Sequence, residues 1–293
     1  MRGSLRESKR RPVVVTRRRF MTKGIHWFLG LIGVGALCGA YGYGWERHQL
    51  EVVSLPVSLP DWPQALKGVR MVHFSDTHLG PYWGIEELRK AVDRINREKP
   101  DLICFTGDLV DKSTRLLSAA VPVLRALQAP LGKFAVLGNH DWRYKQRAVI
   151  HQALLDAGFQ VLDNRHVRTE YRGASFYVAG VDDVLHGTPD LAAALAGIPA
   201  GEPVILLVHE PDFADEAARY PVHLQLSGHS HGGQVRLPLI GHLAAPKLGQ
   251  KYVSGLMHAG ERGMPVYTNR GLGTTILPVR FLCRPELTVI TLV

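Results

Sequence analysis

The sequence predicts an α/β fold in which two sheets pack together with helices outside. Three observations carry this. Between residues 69 and 158, apolar β-like runs alternate with amphipathic helical stretches in units of about thirty residues, the length of a βαβ unit. After residue 158 short strand-like runs predominate, enough for further sheet. Five of the apolar runs end in short motifs rich in His, Asp and Asn, which sets polar chemistry along one rim of a sheet.

The chain opens with a basic tail. Residues 1–23 hold nine Lys/Arg and one Glu, while the remaining 270 residues hold 26 Lys/Arg and 25 Asp/Glu. A footprint for a polyanion belongs on the folded domain; this one is confined to the tail, so no nucleic-acid partner is expected. Gly24–Gly44 then runs 21 residues without Asp, Glu, Lys or Arg, long enough to cross a bilayer. Positive charge before it and near balance after it predict a cytoplasmic tail and an outside domain. Thr16–Met21 also resembles a twin-arginine export signal. The expected organisation is a tail (1–23), a transmembrane anchor or twin-arginine-type signal (24–45), retained rather than cleaved, and one large domain (46–293). The three cysteines form no disulfide framework, and Cys104 and Cys283 read as buried thiols.

Glu51–Leu59, stopped by Pro60 and Pro63, reads as an edge strand. Strand 69–75 leads to a helix at 85–98, with Ile85, Leu88, Ala91, Val92 and Ile95 on one face and Pro100 as the stop. Strand 102–106 leads to a helix at 113–128 interrupted at Pro122, and strand 133–137 to a helix at 144–157 ended by Gly158. Strands follow at 160–162, 167–171 and 175–181, then a short helix at 190–198, a strand at 204–208, a helix at 213–219 and a strand at 222–227. The end reads as strands at 265–268 and 287–293. Leu237–Leu248, whose only formal charge is Lys247, reads as a packed loop, with an acyl-chain groove or a dip toward the membrane as the alternatives.

The motifs carry the chemistry. They are Asp76-Thr77-His78, Gly107-Asp108 through Asp111, Gly138-Asn139-His140-Asp141, His209, and Gly228-His229-Ser230-His231. Imidazole nitrogen with carboxylate and amide oxygen, and no thiolate, suits a divalent metal such as Mn, Fe or Zn. A lone Asp-x-His is common in loops; five such motifs in series at strand ends are not.

This series resembles the calcineurin-like metallophosphoesterases, whose pattern is D-x-H, G-D-x-x-D, G-N-H-[DE], H and G-H-x-H. Gly228–Gln234, Arg270–Gly273 and Cys283–Leu287 are similar to a membrane-associated bacterial branch of that family. The likeness covers residues 46–293. It implies a four-layer αββα sandwich of two mixed sheets and two divalent metal ions. Asp76, His78, Asp108 and His231 match one metal site, and Asp108, Asn139, His209 and His229 the other. Asp108 is then the bridging carboxylate. His140 matches the residue that contacts the scissile phosphate, and Asp141 is expected to hold its second nitrogen. Asp111 is expected to support the site by hydrogen bonds rather than bind metal. Arg270 and Arg262 are candidate phosphate clamps.

The reaction implied is hydrolysis of a phosphoester or pyrophosphate. The membrane branch implies a lipid-linked substrate, with UDP-2,3-diacylglucosamine, a lipid A precursor, as the specific candidate. The alternative is a general extracytoplasmic phosphodiesterase or phosphatase. An inactive scaffold of the same fold is disfavoured, because all seven ligand positions and His140 are intact. Nothing in the residues names a protein partner.

Overall fold

The computed structural model of the protein describes residues 17–293. Residues 1–16, with the first part of the basic tail and Thr16 of the export-like motif, lie outside the described residues. Helix α1 (Arg17–Gly44) contains the uncharged stretch. Among the described residues it is the one helix long and apolar enough to cross a membrane, and it is exposed along most of residues 26–40.

Strand β1 (Glu51–Val57) is an edge strand, which accommodates Pro56 within it. The alternating units follow: β2 (Arg70–Phe74), α2 (Ile85–Arg97), β3 (Leu102–Phe105), α3 (Leu117–Arg125), β4 (Lys133–Ala135), the single turn α4 (Asn139–Trp142), α5 (Arg147–Asp156) and β5 (Gln160–Val161). Helix α2 shows why the units form. Leu88, Ala91, Val92 and Ile95 recur at helical spacing and are all buried, the Glu87 carboxylate accepts from Gly84 N at 3.0 Å, and Pro100 blocks extension. Burying each large apolar side chain contributes roughly 1.5–3 kcal/mol.

The second half supplies β6 (Arg165–Tyr171), β7 (Ala174–Gly180), α6 (Leu191–Leu195), β8 (Val204–Leu207), α7 (Ala214–Ala217) and β9 (Leu224–Ser227). A small hairpin, β10 (Arg236–Leu237) and β11 (Gly241–His242), precedes β12 (Gly255–Ala259), β13 (Met264–Thr268) and β14 (Glu286–Leu292). Two six-stranded mixed sheets result, in the orders β1-β14-β2-β3-β4-β5 and β12-β13-β9-β8-β7-β6. Strand β14 crosses back to the first sheet, parallel to β1 and antiparallel to β2.

Strand alternation decides which side chain enters which layer. Met71, Leu102, Cys104 and Phe134 face Phe176, Val178, Ile205 and Leu224 between the sheets. Val72, Phe74, Ile103 and Phe105 face the opposite way, onto α2, α3 and α5. Tyr177, Ala179, Val204 and Leu206 are covered by α6 and α7. This is the four-layer αββα arrangement. Cys104 and Cys283 are buried free thiols.

Three local expectations need correction. Helix α3 continues through Pro122 rather than breaking there; the helix ends three residues later, so the missing donor costs one bond near its end. The 144–157 helix begins only at Arg147, because a 3-10 turn at Arg143–Lys145 precedes it. The 237–248 segment is not a packed loop: it carries the β10–β11 hairpin, whose turn is made by Leu239 and Gly241 in the left-handed region and leaves Leu239, Ile240 and Leu243 exposed.

Candidate metal centre

All seven predicted ligands lie just beyond strand ends: Asp76 and His78 after β2, Asp108 after β3, Asn139 after β4, His209 after β8, and His229 and His231 after β9. Five of them (Asp76, His78, Asp108, His229 and His231) have φ between 44° and 67°, in the left-handed region that costs a non-glycine residue roughly 1–3 kcal/mol. Interstrand bonds hold them there. Asp76 N donates to Gly107 O at 2.9 Å and His78 N to Asp108 O at 3.0 Å, while the Asp76 carboxylate accepts from His229 N at 3.0–3.1 Å. The glycines beside the ligands are demanded by space. A Cβ on Gly138 would collide with the Asp108 carboxylate and the His209 ring, and one on Gly228 with Ser75 and Asp76.

The ligand atoms converge. His231 Nε2 is 3.3 Å from Asp76 Oδ1 and 3.0 Å from His78 Nε2, and His78 Nε2 is 3.5 Å from Asp108 Oδ2. On the other side of Asp108, His209 Nε2 is 3.3 Å from Oδ2, and Asn139 Oδ1 lies 3.2 Å from His209 Nε2 and 3.1 Å from His229 Nδ1. Asp108 therefore stands between the two sets, with its second oxygen accepting from His140 N at 2.8 Å. All seven residues are buried.

Tautomers are set from behind. His209 Nδ1 donates to Thr106 O at 2.6 Å and His229 Nε2 to Lys247 O at 2.9 Å, so that in the neutral rings the lone pairs of His209 Nε2 and His229 Nδ1 face the centre. Burial disfavours charge on these rings. It lowers His229 and His231 to about 4, with neighbouring His209 adding repulsion on His229. Burial opposes the cation at His209 too, but Asp108, then Asp76 and Glu210, outweigh it and raise its pKa. Burial opposes charge on Asp76 and Asp108, but His231, His78 and His209 around the first and His209, His140 and His78 around the second hold both well below the usual carboxylate range.

These residues fit divalent cations. Ligating atoms of Asp76, His78 and His231, and of Asp76, Asp108 and His209, lie within 4.8 Å of one another. His78 Nε2 and His231 Nε2 lie 3.0 Å apart beside carboxylate oxygens, a nitrogen and oxygen set that suits a divalent cation when the rings are neutral.

The remaining predicted residues divide. His140 reaches the centre: its ring sits edge-on to His78 at 4.7 Å between centroids. Its Nδ1 donates to Asp111 O at 2.9 Å, so Nε2 faces the cleft. Asp141 does not hold His140. It is fully buried and accepts from Leu109 N (2.9 Å), Val110 N (3.3 Å) and Gly138 N (3.1 Å), because a side chain at the third residue of the turn points back to the turn's own entrance. Burial first, then the Asp108 charge, pushes its pKa up to about 7.

Neither predicted arginine is a free phosphate clamp. Arg270 is ion-paired to Glu286 and, at 3.0 Å, to Glu51. Arg262 donates to the carbonyls of Ala218 and Tyr220, beyond α7. The cations that do line the cleft are Lys112, Arg143 and Lys247, and the cleft measures about 640 Å³. Arg143 Nη1 lies 3.5 Å from His140 Nε2. Its signal was its place three residues after His140, at the start of the next turn. Arg280 was also missed. It is fully buried, donates to the carbonyls of Arg270, Gly271, Gly273 and Cys283, and lies 3.4 Å from His231 Nδ1. It thereby holds the 270–283 loop against Asp76, whose carbonyl accepts from Gly273 N at 2.7 Å.

Two stacked mixed sheets with an all-nitrogen-and-oxygen ligand set on one rim define a metal-dependent phosphoester hydrolase. The chain belongs to the calcineurin-like phosphoesterase family, whose model matches residues 69–233. It is 40% identical to the uncharacterized metallophosphoesterase YkuE of Bacillus subtilis (strain 168) over 95% of this chain and 98% of that one. It is 34% identical to phosphodiesterase YaeI of Escherichia coli (strain K12), covering 76% and 82%. A transmembrane protein with metallophosphoesterase domain from Danio rerio is 32% identical, over 88% of this chain and 61% of that one.

Proposed function

We propose that this protein is a membrane-anchored phosphodiesterase that binds two divalent ions, of the Mn, Fe or Zn type, and cleaves a lipid-linked phosphodiester or pyrophosphate. The observation that carries it is Asp108, a buried carboxylate with His78 on one side and His209 on the other. When bound, two dications would polarise the phosphoryl oxygens and lower the pKa of the attacking water. The chain's residues do the rest. The His140 ring, held at Nδ1 by Asp111 O, turns Nε2 toward the scissile phosphate, where a proton taken up on Nε2 is given to a phosphoryl or leaving oxygen. Arg143, Lys112 and Lys247 attract and orient the anion, and the buried ligand cage excludes bulk water.

The name phosphodiesterase borne by one relative supports diester chemistry, and the transmembrane relative supports an anchor. The leading specific substrate is UDP-2,3-diacylglucosamine, cleaved to UMP and the acylated sugar phosphate. The deciding assay compares UMP release from it with hydrolysis of bis(p-nitrophenyl) phosphate by the Mn-, Fe- and Zn-loaded full chain. No metal-dependent turnover of either would sink the reading; turnover of the aryl diester alone would strike out the lipid precursor.

The anchor is proposed to place the domain outside the cytoplasmic membrane, which conflicts with a precursor made on the inner face. A reporter fused after Val293 resolves this. Activity only in the cytoplasm would refute the outside placement and remove the objection to that substrate, and replacing Arg17 and Arg18 by Lys tests the twin-arginine route.

A further inference from the structure

Two largely exposed apolar tips stand beside the cleft, on segments whose other residues line it. One is the turn of the β10–β11 hairpin, where Leu239 is fully exposed and Ile240 is 70% exposed; the other is Ile276, 93% exposed, with Leu277 beside it. The segments bearing them, residues 237–246 and 272–279, contain no Asp, Glu, Lys or Arg. Isolated exposed leucines need no explanation, but a cluster of four flanking an active-site mouth does.

Both tips are rooted on the strip that receives helix α1. The Gly42 backbone lies against Val279 and Arg280, its carbonyl accepting from Arg280 N at 3.3 Å, and the Tyr41 ring meets Phe281 edge-on at 6.1 Å. The Glu46 carboxylate takes the amides of Leu282 (2.9 Å) and Cys283 (2.6 Å). Phe281 bridges in turn to Val235 and accepts from Arg236 N at 2.9 Å, so the hairpin starts from the same strip. Gln234 ties the two tips together by exchanging hydrogen bonds with Thr275 at 2.8 and 2.9 Å.

The end of α1 marks a depth. Tyr41, Tyr43 and Trp45 are exposed, and the Arg47 guanidinium stacks 4.2 Å over Tyr43, the aromatic and cationic composition of a bilayer interface. The strip at 279–283 sits at that level, and the tips flank it. From these observations we infer that Leu239, Ile240, Ile276 and Leu277 insert into the lipid surface beside α1 and hold the mouth of the metal centre against the bilayer. The far end of the hairpin loop is bonded to the centre itself, since Lys247 O accepts from His229 Nε2. A phosphoester at headgroup depth meets the cleft, lined there by Thr275, Ile276 and Lys247, without leaving the membrane. The inference rests on the reading of α1 as an anchor.

The test uses the full chain in vesicles of phosphatidylethanolamine and phosphatidylglycerol carrying a nitroxide high on the acyl chain. With Cys38→Ser removing the accessible thiol, an environment-sensitive fluorophore is placed by Ile240→Cys, by Leu277→Cys, or by Lys99→Cys at the opposite ends of the strands. The first two labels should blue-shift and be quenched by the lipid nitroxide, while the third should not. A blue shift without nitroxide quenching would mean that protein, such as a second copy, covers the tips, and overturns the inference. So does quenching no greater than at Lys99. In parallel, Leu239→Asp with Ile240→Asp should keep turnover of soluble bis(p-nitrophenyl) phosphate and lose roughly tenfold or more on a vesicle-embedded phosphodiester. Loss of neither sinks the membrane-docking role alone. A wild type inactive on the soluble diester, or a chain that alkaline carbonate strips from the vesicles, strikes the underlying reading instead and takes the inference with it.

Discussion

His140 Nδ1 donates to the main-chain oxygen of Asp111 at 2.9 Å, and the carboxylate of the adjacent Asp141 plays no part in holding the ring. A carbonyl accepts only, so Nδ1 carries the proton and Nε2 presents its lone pair to the cleft. Burial, ahead of the opposing Asp108 charge, lowers the His140 pKa, which keeps the ring neutral near pH 7. His140→Ala should therefore retain its metals and lose ~10²–10⁴-fold in kcat, the scale of a general acid–base contribution. Metal loss in that variant, read by atomic emission, would move His140 into the ligand set.

Asp108→Ala should abolish turnover and cut the metal content from about two per chain toward one or none, since both ligand groups share this carboxylate. Circular dichroism should remain native-like. Full turnover with two metals bound would remove Asp108 from the centre.

Asp141→Asn tests the corrected role. An amide can accept from one side but presents its NH₂ to the other backbone donors, so the loss should appear as about 1–3 kcal/mol of stability. The metal-saturated pH–rate profile should keep its shape. A displaced profile at unchanged stability would restore Asp141 as the partner of His140.

Arg143→Ala should lower kcat/KM for an anionic diester roughly tenfold, about the 1.4 kcal/mol of one charge-assisted contact. Arg270→Ala should instead lower the melting temperature, because it strands Glu286 and Glu51, and leave KM nearly unchanged. The opposite pattern would return Arg270 to the substrate.

His73 gives a stability test away from the ligands. It is fully buried beside Thr106 Oγ1 (2.9 Å), and burial lowers its pKa to about 3. Its folded pKa lies below the unfolded one, so the unfolded chain takes up the proton first as pH falls. The stability is complete above about 6.5 and is lost on the way down toward 3. Between pH 6.5 and 5 this amounts to about 2 kcal/mol. Urea midpoints in detergent should fall less steeply with acid for His73→Gln than for the wild type; parallel slopes would show that His73 does not titrate on unfolding.

The sequence by itself determined the αββα class and the seven candidate ligand positions, because strand–helix alternation and strand-end motifs are local patterns that survive without coordinates. It also marked the uncharged stretch that becomes α1. Tertiary structure decided what depends on contacts between distant segments. Asp141 was misassigned because adjacency in sequence says nothing about direction, and its position in the tight turn aims the carboxylate at Gly138 and the 109–110 backbone. Arg270 and Arg262 had the right chemistry for phosphate, but Glu286, Glu51 and two carbonyls reach them first. Arg143 became a cleft residue only because α4 is a single turn that returns it toward His140. The apolar tips acquire a meaning only when Gly42 and Tyr41 are seen docked on the strip between them. A short motif fixes which atoms bind a metal; which charges remain free to meet a substrate is fixed by every neutralising partner that the fold brings near.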